Sequence, residues 1–170
     1  MKRQHLKICL CYITFLLAVP SVLAAGQFKV IRIHAGDTVT AYGQDIEIIV
    51  TLLGIDAPES SMKYGQPAQP YSKQAKEFLS ELILNKDVEI KGYGLDPFNR
   101  ILGVIYVNGV NVNLEMLKAG LAEVYRGRSA GNDIMPYRRA EAQAQAAKRG
   151  IWSLGKYYVS PKDWRRKHEQ

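Results

Sequence analysis

Asp37, Asp56, Glu59 and Arg100 are the residues of this chain whose types and settings suit chemistry on a phosphodiester. Asp37 follows a glycine in a short turn, Asp56 and Glu59 leave the end of an apolar run, and Arg100 stands at the start of another. Two carboxylates and a backbone carbonyl make a hard, all-oxygen site of the kind that suits Ca2+ or Mg2+. A metal there neutralises a phosphate oxygen. A further carboxylate, free of the metal, takes a proton from water. Arginine grips a phosphate through two parallel hydrogen bonds. No serine, cysteine or histidine nucleophile is needed. Taken singly, each residue has an ordinary use: Asp37 as a turn cap, Arg100 as a solvated edge residue, Asp56 and Glu59 as the polar exit of a strand. His34 reads as a strand residue, and Tyr93, Phe98 and Tyr125 as packing aromatics. Only the combination points to hydrolysis.

The elements that must position these groups follow from pattern. Residues 51–59, TLLGIDAPE, open apolar and β-prone and then change to acids and proline. Pro58 lacks an N–H and fixes its own φ, so the chain leaves the sheet there and delivers the acids to a loop. Residues 28–34 and 38–42 read as strands around the turn 35–37, and 43–45 turns the chain into a third strand over 46–55. Residues 60–70 form a loop. Ser72 is expected to cap a helix whose Ala75, Phe78, Leu79, Leu82 and Ile83 share one face. Strands follow over 88–93 and 101–107, with a hairpin turn at Asn108-Gly109. Asn111 or Asn113 caps a short helix closed by Gly120. Residues 121–125 are extended and 126–133 form a loop. Pro136 opens a last helix that ends at Gly150, with Ile151 and Trp152 docked on the core. The tail from Ser160 is basic and loosely held, with Trp164 as one anchor. The order is three strands, a helix, two strands, then helices. It fits an α+β class that is mainly β: a five-stranded OB-fold barrel with three packed helices.

Composition and the first residues bound the rest. A chain of 170 residues has room for one domain with a real core. Lys2, Arg3 and Lys7 precede an apolar run and then Pro20, Ser21 and small residues, the anatomy of a secretory signal peptide over 1–25. The expected domain covers 26–155 and the basic C-terminal tail 156–170. Export to the periplasm or medium is expected, with a retained membrane anchor as the alternative. Cys9 and Cys11, the two cysteines, leave with that segment, so thiol and disulfide chemistry are excluded from the mature chain. The full chain carries a net charge of +7, and without its first 25 residues 20 Lys+Arg face 16 Asp+Glu, a net of +4. That balance suits a polyanionic partner such as nucleic acid.

The sequence resembles the staphylococcal nuclease family over about residues 28–155. Gly36-Asp37-Thr38 resembles the family's first acidic turn, residues 52–59 its Asp-x-Pro-Glu motif, and Phe98-Asn99-Arg100 with Leu102-Gly103 its Tyr-Gly-Arg segment. Gly120-Leu121-Ala122 and Gly150-Ile151-Trp152-Ser153 match later landmarks in order. The resemblance implies calcium-dependent cleavage of DNA and RNA by a barrel of the OB type. Asp37 and Asp56 would bind Ca2+ with the carbonyl of Ala57. Glu59 would be the general base, Arg100 would hold the phosphate, Phe98 would stack on a base, and Tyr125 would lie near the substrate cleft. No stable protein partner is implied, and a monomer is expected. Thr51 stands where the family carries a second phosphate-gripping arginine. Losing one preorganised donor commonly costs about 10²–10³ in rate. Arg32 or Lys63 is a candidate substitute for that charge. The alternative is an OB-type module that binds nucleic acid without cutting it.

Overall fold

The computed structural model describes residues 26–60, 67–127 and 134–168. Strands β1 (Gly26–Ala35), β2 (Thr38–Gly43) and β3 (Ile46–Leu52) form an antiparallel meander. Strand β4 (Ile55–Asp56) follows, and helix α1 (Ser72–Ile83) leads into β5 (Asp87–Leu95), which pairs with β1, and β6 (Ile101–Val107), which pairs with β5. β6 then runs parallel to β3, with Thr51 opposite Leu102, and closes a five-stranded barrel in the order β3-β2-β1-β5-β6. The expected α+β barrel of the OB type is thus what forms. The short β7 (Val110–Asn111) turns back on β6 through Asn108 and Gly109. Helix α2 (Val112–Lys118), strand β8 (Glu123–Val124), helix α3 (Met135–Ala146), 3₁₀ turns over Gly150–Tyr157 and helix α4 (Pro161–His168) complete the described chain.

The core is where the barrel's inner residues meet the helices. Val30, Val39, Leu52 and Ile105 from the strands are buried against Leu79 and Ile83 of α1 and Met116 and Leu117 of α2. Each such side chain contributes about 1.5–3 kcal/mol by leaving water. The apolar face read from spacing in residues 75–83 therefore sits as expected, with Ala75, Leu79 and Ile83 fully covered.

Several local expectations are corrected. The third strand does not run through to Ile55. Gly54 takes a positive φ of 82°, so β3 ends at Leu52 and β4 leaves the barrel to pair with β8, Asp56 opposite Glu123. Ser72 is not the cap of α1. Tyr71 holds the capping position in a left-handed conformation, and Ser72 is the buried first residue of the helix. The extended stretch expected over 121–125 shortens to Glu123–Val124. The tail is not loose, because α4 forms from Pro161 and packs back on the domain. The signal peptide expected at 1–25, the middle of the expected 60–70 loop and most of the expected 126–133 loop lie outside the described residues.

Of the two asparagines offered as caps, Asn111 does the capping, accepting from the Leu114 N–H. Asn113 is fully buried and serves the barrel instead. Its amide donates to the carbonyls of Leu53 (2.9 Å) and Gly103 (3.2 Å), and its Oδ1 accepts from the Ile105 N–H (3.2 Å). It therefore ties the end of β3 to β6 where the barrel closes. Replacing Asn113 with alanine removes three buried hydrogen bonds to the backbone, although the Gly103 carbonyl keeps its bond from the Leu53 N–H. We expect it to cost about 2–4 kcal/mol and to lower Tm by about 5–15 °C in a thermal melt followed by circular dichroism.

Candidate active site

Two features of the backbone bring the acids together. The two-residue turn Gly36-Asp37 joins β1 to β2, and its Asp37 carbonyl accepts from the Leu52 N–H at 2.8 Å. A Cβ at residue 36 would lie 2.7 Å from the Cβ of Ala75 and 2.8 Å from that of Ala57, so only glycine lets the turn press this close. Asp37 consequently meets the chain leaving β4. Its Oδ2 accepts from the Ala57 N–H at 3.0 Å and its Oδ1 from the Thr38 hydroxyl at 2.9 Å. Three residues beyond the strand's last acid, Glu59 is fixed at its backbone by Gln69. The Glu59 N–H donates to the Gln69 side chain, and the Gln69 N–H to the Glu59 carbonyl.

The carboxylates of Asp37, Asp56 and Glu59 act on one another. Burial raises the pKa of Asp37 above the usual carboxylate range, and the charge of Asp56 adds to the effect. Burial likewise raises Glu59, with Asp37 and Asp56 adding to it and Arg165 opposing. On the outer side of Asp56, buried Glu123 is raised by burial and accepts a short bond from the Tyr158 hydroxyl.

Two guanidinium groups face this cluster. Arg100 is held by Asp96, whose Oδ2 accepts from Nε at 2.6 Å. Asp96 also accepts from the backbone N–H of Phe98 and of Arg100, which folds residues 96–100 into a tight turn. Burial works to raise Asp96, but the bonds from Arg100 and Phe98 outweigh it and leave its pKa lowered. The field of Arg100 reaches Asp37 and His34. The other group is Arg165 of α4. Its Nη1 and Nη2 donate to the two oxygens of Asp56, both at 2.9 Å, and Nη1 also bonds Glu59.

The remaining sequence candidates fall into place around these. Thr51 points its hydroxyl at Asp96 Oδ2 at 3.4 Å, so it supports the carboxylate that holds Arg100. Phe98 is 78% exposed, and the Arg100 guanidinium lies 5.2 Å from its ring centre. Tyr125 is exposed just beyond β8, its N–H bonded to the Gly54 carbonyl. His34 bonds Thr40 and takes no place among the acids.

The oxygen donors are of the type a calcium ion takes. Their present arrangement is not a ready cage. Both oxygens of Asp56 are committed to Arg165, and among the described residues no three acidic, histidine or cysteine side chains are grouped to hold an ion. The set of Asp37, Asp56 and the carbonyl of Ala57 needs only two such side chains, and its donors are all oxygen, the chemistry calcium takes.

The sequence model of the family described as staphylococcal nuclease homologue matches residues 49–154. The chain belongs to the staphylococcal nuclease family. Its relatives include proteins named probable endonuclease LCL3. The one from Candida albicans is 36% identical over 132 residues, covering 74% of this chain and 56% of that protein. The one from Pyricularia oryzae is 39% identical over 128 residues, covering 71% and 49%. The chain spans about half the length of the curated relatives it matches. The match includes the nuclease-family motif at 52–59 and Arg100, and it stops before α4.

Sequence reasoning missed Arg165, Asp96 and Gln69. Asp96 stood four residues before Arg100, a spacing that suits a side chain folding a turn, and was open to discovery. Arg165 gave no signal among the other bases of the tail, because its role depends on where α4 docks. Of the two bases offered as substitutes for the charge missing at Thr51, Arg32 is exposed on β1 and Lys63 lies outside the described residues.

Replacing Asp96 with asparagine should free the Arg100 Nε–H, which we expect to appear as a solvent-protected NMR signal in the parent protein and as an exchanging one in the variant. Thr51→Val should leave it protected, since the 3.4 Å contact is the weakest in the set. The lowered pKa of Asp96 sets the acid limit. The bond is complete above its ordinary value of 3.8 and is lost as pH falls through the depressed one, so the signal should persist at about pH 4 and vanish on further acidification.

Proposed function

We propose that the protein is a calcium-dependent nuclease that hydrolyses phosphodiester bonds of DNA and RNA. The observation that carries this reading is the meeting of Asp37, Asp56 and Glu59 in one mutually interacting cluster, with Arg100 oriented beside it. The names of the relatives, probable endonucleases, support cutting within a strand.

Bound at Asp37, Asp56 and the Ala57 carbonyl, calcium would neutralise charge on a phosphate oxygen. The protein's own groups do the rest. Burial raises the pKa of Glu59, so its carboxylate is a stronger base than an exposed one. It takes a proton from water as the water oxygen forms its bond to phosphorus and the P–O bond to the leaving oxygen breaks. Arg100 donates to the phosphate, and Asp96 keeps its guanidinium from wandering. Thr51 adds no charge, which argues for a site slower than one with an arginine at that position. The exposed ring of Phe98, stacked by Arg100, suits contact with a base. Tyr125, beyond β8, suits the far wall of the cleft. The basic balance of the chain fits a nucleic acid substrate. The positive start and apolar run of residues 1–25 support export to the periplasm or medium.

Incubating the purified protein with single-stranded DNA tests this. We expect cutting with Ca2+ and none with chelator, and a loss of about 10²–10⁴ in rate for Glu59→Gln. Binding without cutting under every divalent metal tried would show a nucleic-acid-binding module instead.

A further inference from the structure

Arg165 lies outside the family match, on the last described helix, yet it makes the most complete contact in the site. Its planar fork engages both oxygens of Asp56 and reaches Glu59 as well. That geometry leaves Asp56 no oxygen free of the guanidinium.

The backbone that carries it is anchored by several independent contacts. The Tyr158 hydroxyl donates to buried Glu123, and the Tyr158 ring rests against Trp152 with 4.8 Å between centres. Gln69, which already fixes Glu59, donates from Nε2 to the Val159 carbonyl at 2.8 Å. Pro161 is buried, and Ser160 caps α4 by accepting from the Asp163 N–H. The helix is therefore a fixture. The Arg165 side chain remains 27% exposed, so it borders solvent as well as the acids.

We propose that Arg165 is the resident cation of the acid site and exchanges with the metal ion, so that α4 sets the site's metal affinity. The inference rests on the calcium reading above. Asp56 and Glu59 stand close to a further carboxylate in a partly buried place, and a counter-charge stabilises the ionised form of such a group. Arg165 supplies it when the metal is absent. A divalent ion supplies more charge and must take at least one oxygen of Asp56 from the guanidinium to bind. The same two acids thus serve two cations in turn, and the fork must open before the metal enters.

Calcium titration calorimetry on the purified protein, Arg165→Ala and Arg165→Lys tests the exchange without reference to cutting. Removing the competitor should tighten calcium binding by about tenfold or more, since a bidentate charge-assisted pair no longer has to be broken. Lysine, a point charge without the fork, should give an intermediate gain, and it carries the test if the alanine variant fails to fold. In thermal melts the calcium-induced rise in Tm should be larger for both variants than for the parent. Unchanged or weaker calcium binding in the variants, with the parent binding normally, overturns the exchange and leaves the calcium reading standing. A parent protein that takes up no calcium and cuts equally well in chelator overturns the calcium reading, and the exchange with it.

Discussion

Like charges gathered in a partly buried place govern this site. The charge of Asp56 raises the energy of the ionised forms of Asp37, Glu59 and Glu123, and that of Asp37 adds to the effect at Glu59. A protein can hold such a group only with matching donors and cations. Here Asp37 takes two hydrogen bonds from its neighbours, Asp56 and Glu59 take Arg165, and Glu123 takes Tyr158. The placement of the C-terminal segment follows from this constraint, since its Tyr158 and Arg165 both answer carboxylates contributed by the barrel end.

The barrel's closure decides where those carboxylates stand. Parallel pairing of β3 with β6 fixes Thr51 beside Leu102 and brings the 96–100 turn against the end of β3. The break at Gly54 then swings β4 out of the barrel to β8, so that Asp56 and Glu123 face each other across a two-residue ladder. Asn113 holds this junction from inside through Leu53, Gly103 and Ile105. Had β3 run on unbroken, the strand's alternation would have carried Asp56 along the barrel wall, away from α4.

Much of this was open to reading in the chain. The barrel class, the apolar face of α1 and the hairpin at Asn108-Gly109 follow from local patterns that the fold preserves. Misreadings occurred where a single backbone conformation overrode a pattern. Gly54 ended a strand whose apolar run continued past it, and Tyr71 took a left-handed capping position in front of a plausible serine cap. Thr51 is a third kind of case. Its departure from the family pattern was visible in sequence, but its actual service to Asp96 was not.

What the sequence determined by itself was chemical type: carboxylate oxygens, a guanidinium, and the short-range elements that deliver them. These depend on residue identity and on neighbours a few positions away. What only the tertiary structure decided was which cation answers which acid. Arg165 lies 109 positions from Asp56 in the chain, among other bases with no distinguishing local pattern. Its partnership exists because Gln69, Glu123 and a buried Pro161 dock the last helix over the acids. A contact made by docking is a property of the surfaces that meet, and no single stretch of sequence holds both of them.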